Sequence, residues 1–504
     1  MSTEIKTIVG CCAALGVERE ITSSPVDIEI SGNRISAVRP TGEAAPRGEI
    51  IDGRNRIVTP GLVNGHTHSH ENFHKGRYEG LPLELMMNYV RPPRPLKLTA
   101  RQVYLRTLIG AIEALKSGTT TLVDDMNIYP ILHKDHVEAA FQAYRDIGVR
   151  AYLGTTLFDL PYHKTVPFVD EVIPADVQAR LRQSGQTPPG EVLEFARHLA
   201  STHDPKRDRV AYIVSPSAPQ RCSREFLLQC TALAEEFDLP MIMHVQETRT
   251  QVVTGELLHK KSLIRYLDDL GVLSDRLNVI HAVFLDKYEI DLLAKRGVSI
   301  QHCINANLRL GSGLAPVREL LDAGVNICLG GDGISCTDTI NILDLMGTVA
   351  KVHAVRAPDL KKAVNAKETW TAATMGGARA LRRGKDIGAI EVGRLADLIS
   401  FRLDRVQLAP RNNLMRQIVY AERGQSLDMV MVDGNVVVCD GTLKSLNEAE
   451  IVAEINEAHT ALRDEIEASE ETVNSFSQWY REIYRRCSEH PVSHQHFKPL
   501  IDQS

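Results

Sequence analysis

Apolar and polar residues alternate along VDIEISGNRISAVRP (26–40), with a Gly-Asn step in the middle. A period of two marks strands buried on one face, and the Gly-Asn step supplies the turn between them. The same alternation returns far down the chain, in ADLISFRL (396–403) and LDMVMVDGNVVVCDG (427–441), where Asp433-Gly434-Asn435 makes the turn. β segments on either side of a long middle region predict a small β-sandwich assembled from both chain ends.

The middle has another rhythm. Short apolar runs occur in IVTPGLVNGHTH, TTTLVDDM, RAYLGTTL, VAYIVSPSA, LPMIMHVQE, LNVIHAVF, VSIQHCI and VNICLGGDG, separated by amphipathic stretches such as RQVYLRTLIGAIEALKSG and KYEIDLLAKRG. Strand then helix, repeated eight times, is the pattern of an α/β chain folded as a (β/α)₈ TIM-like barrel. The alternative is an open doubly wound sheet, but no Gly-rich phosphate loop follows the first strand. The expected division is 1–57 and 386–445 for the two parts of the sandwich, 58–385 for the barrel, and 446–504 for a C-terminal helical extension. Two segments stand apart. The proline-containing connection 158–200 is long enough to be a lid, a substrate wall or a structural insertion. The final HPVSHQHFKPL (490–500) reads as an irregular arm.

Composition narrows the class. A formal net charge of -6 with 24% charged residues advertises no basic face for nucleic acid. No apolar run reaches the roughly 18 residues a membrane helix needs, and the N-terminus has no cleavage pattern of a secretory leader. The nine cysteines are scattered without a CxxC pair, which reads as reduced thiols in a cytoplasmic protein.

The chemistry concentrates at the ends of the apolar runs. His66 and His68 are two residues apart, so on a strand their imidazoles share one face. At the C-terminal end of a barrel strand that face opens onto the active-site mouth. His244 follows LPMIM, His281 ends LNVI, and Asp332 ends NICLGGD. Any one of these alone reads equally well as a core histidine or a turn-forming aspartate. Together, imidazoles and a carboxylate at successive strand ends suit zinc or a similar divalent ion.

On these residues the chain resembles the amidohydrolase superfamily over nearly its whole length. PGLVNGHTH (60–68) is similar to the family's first-strand signature, and IEVGRLADLI (390–399) with VDGNVV to the returning strands of its small sandwich. The resemblance implies that His66, His68, His244 and Asp332 hold one divalent metal, zinc or else iron. The binuclear members carry a bridging lysine on the fourth strand, and VAYIVSPSAP (210–219) has none. A single ion is therefore expected, leaving His281 free to hydrogen-bond the attacking water or the substrate. Glu247, three residues after His244, resembles the HxxE of the aminohydrolase branch, which implies proton transfer to the departing nitrogen. Asp332 with His281 would then orient or deprotonate the water.

The segments 302–317 and 330–344 depart from the family pattern at Ile304, Ala306, Gly331, Cys336 and Thr337, which bears on specificity more than on catalysis. His70, His74 and Gln246 are candidate substrate contacts. The expected reaction is deamination of an amino-substituted nitrogen heterocycle, a small-molecule substrate. The same site serves amide, urea or carbamate hydrolysis and hydrolytic dehalogenation. A non-catalytic barrel acting in binding or assembly would have lost ligands, and none is lost here. The resemblance also implies a homodimer or homotetramer.

Overall fold

The computed structural model describes residues 4–16, 21, 24–181, 186–357 and 359–492. Strands from the two chain ends meet in one nine-stranded sheet among the described residues, eight in a continuous path and Glu49–Asp52 paired to Ile5–Ala13 off it. Ile5–Ala13 pairs antiparallel with Val26–Ser31 and parallel with Arg56–Pro60. Arg56–Pro60 in turn pairs antiparallel with Leu398–Arg402, which leads on to Leu427–Val432 and Asn435–Cys439. Ile8, Ile28, Ile30, Val58, Leu398 and Met431 are buried against one another where the two ends join.

This pairing corrects one expectation. IVTP reads along the sequence as the start of the first parallel strand, yet it belongs to the terminal sheet. The chain breaks at Gly61, where a Cβ would stand 2.0 Å from the Thr120 hydroxyl. Only glycine permits that approach.

The next strand, Leu62–Thr67, opens the parallel part of the fold. It forms a four-stranded parallel sheet with Thr119–Met126, Arg150–Thr155 and Val210–Tyr212. Met241–Val245, Leu277–His281, Ser299–His302 and Asn326–Leu329 form a second. Isolated parallel bridges pair Thr67 with Asp332 and Val214 with Met241, so the edges of one sheet touch the edges of the other. Nearly every residue of these strands is buried, as expected where helices cover the outer face.

The crossover helices start where their caps dictate. Thr99 and Gln102 close a capping box on Ala100–Lys116, and Asp286 and Glu289 close one on Lys287–Arg296. Leu105, Leu108 and Leu115 of the first of these helices pack into the main core, each contributing about 1.5–3 kcal/mol on burial.

The connection 158–200 is largely helical, with Ala175–Leu181 and Pro189–Thr202 its longest pieces. Its Val169, Ile173, Val177 and Leu181 share a cluster with Val473, Phe476, Tyr480 and Ile483 of the C-terminal extension, which comprises Glu448–Ala461, Arg463–Asn474 and Ser477–Glu489. Ion pairs Arg77–Glu470, Arg101–Glu454 and Lys116–Glu448 fasten that extension to the segments just after the first parallel strand. The arm from residue 493 onward lies outside the described residues. No described helix is long and apolar enough to cross a membrane.

Arg150, at the start of the third parallel strand, joins the two sheet systems. Its Nε and Nη2 donate to Asp397 at 2.7 and 3.1 Å, and Nη2 also reaches Asp433 at 2.9 Å. The Arg150 and Asp397 side chains are only 4% and 1% exposed. Removing one member strands a buried charge, which typically costs about 3–5 kcal/mol. Arg150→Met should lower the thermal unfolding midpoint markedly in scanning calorimetry. A midpoint within a degree or so of wild type would show that this pair does not hold the two parts together.

Candidate active site

His66 lies in Leu62–Thr67 and His68 directly follows it, so their imidazoles leave the strand on one side. Between them, the Thr67 hydroxyl points away and donates to the Val123 carbonyl at 3.0 Å. Across the seam, the Asp332 amide donates to the His66 carbonyl at 2.8 Å, which fixes the aspartate beside the histidines. His244 sits in Met241–Val245, and His281 ends Leu277–His281. Backbone strain gathers at this end of the strands. Gln246, His281, Ala282 and Asp332 all have positive φ, at 53°, 72°, 49° and 62°. A non-glycine residue held there typically costs about 1–3 kcal/mol, and such strain concentrates at functional sites.

The Nε2 atoms of His66, His68 and His244 lie 3.2, 3.2 and 3.3 Å from one another. Asp332 Oδ1 is 3.6 Å from His66 Nε2 and 3.5 Å from His68 Nε2. Four ligands about 2.0–2.1 Å from a tetrahedral zinc lie about 3.3–3.4 Å apart, which these spacings approach. The outer nitrogens settle the tautomers. His68 Nδ1 donates to the Asp125 carbonyl and His244 Nδ1 to the Ser217 carbonyl, each at 2.8 Å, so both Nε2 lone pairs face the centre. Burial pulls His66 and His68 well below the usual histidine range and His244 and His281 down to about 4. All four are neutral at neutral pH, the form that ligates a cation. The donor set therefore fits a divalent metal.

Two groups adjoin this cluster. His281 Nδ1 is 3.0 Å from Asn307 Oδ1, which holds the ring with Nε2 3.8 Å from Asp332 Oδ2 and 3.5 Å from Glu247 Oε1. Glu247 is 3% exposed. Burial, then the charges of Asp332, Glu84 and Glu71, push its carboxyl well above the usual range. Glu71 behaves similarly: burial raises it to about 7, although Ser335 donates to it.

His68, His244, Glu247, His281 and Asp332 line an inner pocket of about 90 Å³ whose wall contains no lysine. An outer cavity of about 720 Å³ adjoins it, walled in part by the C-terminal residues Glu465, Ile466, Glu470 and Tyr480. Of the candidate substrate contacts, His70 and His74 line the outer cavity. His70 Nδ1 accepts from the Asn127 amide at 3.2 Å, and His74 Nδ1 lies 3.2 Å from the Tyr78 hydroxyl. Gln246 is not brought in. Its side chain bonds the Phe284 carbonyl and Glu289, and it lines neither space.

Several residues at the site escape sequence reasoning: Asn307, Ser217, Asp125, Arg91 and Arg221. Asp125 alone carried a signal, its place at the end of the second apolar run. Its Oδ1 accepts from Ser215 at 2.6 Å and Thr156 at 2.8 Å.

The profile of the Amidohydrolase family matches residues 57–437. A 5'-deoxyadenosine deaminase of Methanothermobacter thermautotrophicus is 33% identical over 432 residues, covering 86% of this chain and 93% of the relative. The crystal structure of an adenosine deaminase from Xanthomonas campestris with bound zinc superposes with a TM-score of 0.80 at 27% identity, covering 92% of this chain and 98% of that one. An atrazine chlorohydrolase from Arthrobacter aurescens, complexed with zinc, gives 0.80 at 25% identity over 90% and 100%.

Dialysed protein should retain about one zinc per chain by atomic emission. His244→Ala should lose it, while Asn307→Ala, whose side chain hydrogen-bonds His281 and none of the four donors, should keep it. Full zinc content in His244→Ala would remove that residue from the ligand set.

Proposed function

The chain belongs to the amidohydrolase family, and we propose that it is a mononuclear-metal aminohydrolase that deaminates an amino-substituted nitrogen heterocycle. His66, His68, His244 and Asp332 would hold the ion, with zinc favoured over iron by its presence in two structural neighbours. When bound, such an ion supplies Lewis acidity and a water whose pKa falls to about 7. The seam bridges support reading the two parallel sheets as one closed barrel over 58–385, with the terminal strands as a separate sandwich and 446–492 as part of the cavity wall. Nine free thiols support a reducing, cytoplasmic setting.

This chain's residues then divide the proton work. Asp332 and His281 flank the attack path, and their 3.8 Å contact sets them to orient the water and take its proton as oxygen bonds to the ring carbon. Glu247 delivers its proton to the ring nitrogen, is recharged across its 3.5 Å contact with His281 by the proton taken from the water, and passes that one to the exocyclic amine. The C–N bond then breaks to release ammonia, and the adduct's hydroxyl proton returns to Glu247 as the C=O forms. The observation that carries the reading is the Glu247 carboxyl: buried, 3.5 Å from His281, and pushed by burial and neighbouring carboxylates toward its neutral form. The relatives named as deaminases favour the same C–N chemistry. Likeness to an atrazine chlorohydrolase favours a second reading, displacement of halide from a heterocycle on the same machinery.

Ammonia and chloride release from a panel of amino- and chloro-heterocycles separates the two. Glu247→Gln should keep its zinc and lose about 10²–10⁴ in kcat, the usual worth of a positioned acid–base. Undiminished turnover in Glu247→Gln would remove Glu247 from the reaction.

A further inference from the structure

Arg150, Arg383 and Arg394 are buried in ion pairs with Asp397, Asp386 and Glu391, whereas Arg106, in the wall of the outer cavity, is buried without an ion pair among the described residues. Two further arginines lie near the metal donors. Arg91 and Arg221 line both the inner pocket and the outer cavity, so they stand at the passage between them. Arg221 is 6% exposed. Its Nε donates to the Leu160 carbonyl at 3.3 Å, and its guanidinium lies 4.3 Å from the Phe158 ring centroid and 5.4 Å from that of Tyr162. These contacts orient the plane and leave both Nη groups without a hydrogen bond among the described residues. Arg91 Nε is buried with no hydrogen-bond partner. Neither guanidinium forms an ion pair among the described residues.

No nearby carboxylate forms an ion pair with either guanidinium among the described residues, although Glu84 Oε2 and Asp125 Oδ2 are buried without a hydrogen-bond partner. Glu84 accepts from Thr248 at 2.7 Å, Asp125 accepts from Ser215 and Thr156, and Asp332 belongs to the metal donors. Burial and the neighbouring Arg91 charge draw Arg221 down to about 10, as expected for a desolvated cation lacking a counter-charge. Buried charges persist when something pairs with them, and the free donors here face the space a substrate must cross.

We propose that Arg91 and Arg221 form an oxyanion subsite, and that the substrate is an amino-heterocycle carrying a carboxylate or phosphate substituent. The inner pocket takes the ring against the metal donors, and the substituent lies at the passage between the two guanidinium groups. Forked N–H donors match a planar carboxylate two bonds at a time. The inference rests on the reading of the inner pocket as the reaction centre, and it deepens that reading by naming the substrate class.

Calorimetric titration of zinc-loaded protein with benzoate and, separately, inorganic phosphate tests the subsite without turnover. The tighter of the two identifies the substituent. That anion should bind wild type, weaken about tenfold or more in Arg221→Met, and recover in part in Arg221→Lys, because charge-assisted bonds are lost and then partly restored. Arg91→Met should weaken it as well, with circular dichroism confirming that each variant is folded. Binding should survive zinc removal, since the arginines hold the anion. No binding of either anion, equal binding in Arg221→Met, or loss of binding with the metal would each overturn the subsite. Paired heterocycles with and without a carboxylate supply the second arm. Wild type should favour the carboxylated member in kcat/KM, and the preference should collapse in Arg221→Met. Arginine-dependent anion binding with no ammonia from any compound would sink the deamination reading and leave the subsite standing. Ammonia released equally from neutral and carboxylated rings would do the reverse.

Discussion

Three imidazole nitrogens held 3.2–3.3 Å apart, with a carboxylate oxygen 3.5–3.6 Å from two of them, are an arrangement that hydrogen bonding among themselves does not explain. Two of the rings have spent their only proton on backbone carbonyls, so their inner lone pairs face one another and need a cation between them. The surrounding fold serves that constraint. An isolated parallel bridge pairs Thr67, at the end of the first parallel strand, with Asp332, just past the last. Left-handed residues at Gln246, His281 and Asp332 then turn the chain sharply as it leaves the strands. Burial keeps every imidazole neutral.

The same burial divides labour among the carboxyl groups. Asp332, within reach of two imidazoles, is placed to ligate. Glu247, near other carboxylates and 3.5 Å from His281, is pushed toward its protonated form. Burial raises both carboxyls above the usual range, and their surroundings differ: two imidazoles beside Asp332, other carboxylates around Glu247. Further out, the C-terminal helices and the 158–200 segment share one apolar cluster and wall the outer cavity. Parts of the chain remote in sequence from the metal donors thus line the outer space, with Arg91 and Arg221 lining both it and the inner pocket.

What the sequence reveals follows from how local each signal is. The HxH spacing, the strand-end positions of His244, His281 and Asp332, and the alternating runs depend on periods of two residues and on short apolar segments, so they are visible without a structure. The eight parallel strands all fall within the apolar runs. Residues 57–60 read as the start of the first parallel strand because a buried apolar run looks the same in either sheet; the decisive fact is the Thr120 hydroxyl against Gly61, a contact between distant segments. Gln246 sits next to Glu247, but a positive φ turns its side chain toward Phe284 and Glu289. Asn307, Arg91 and Arg221 reach the site from loops and short helices with no periodicity to announce them. The helices of the C-terminal extension were legible, but their role as a cavity wall depends on tertiary packing.

A single ion held by nitrogen and oxygen donors is the claim on which the chemistry stands, and zinc K-edge X-ray absorption on the loaded protein addresses it most directly. The expected spectrum has a first shell of imidazole nitrogen and carboxylate oxygen at about 2.0–2.1 Å and no metal scatterer beyond it. A sulfur shell at about 2.3 Å, or a second metal at about 3.5–4 Å, would contradict it.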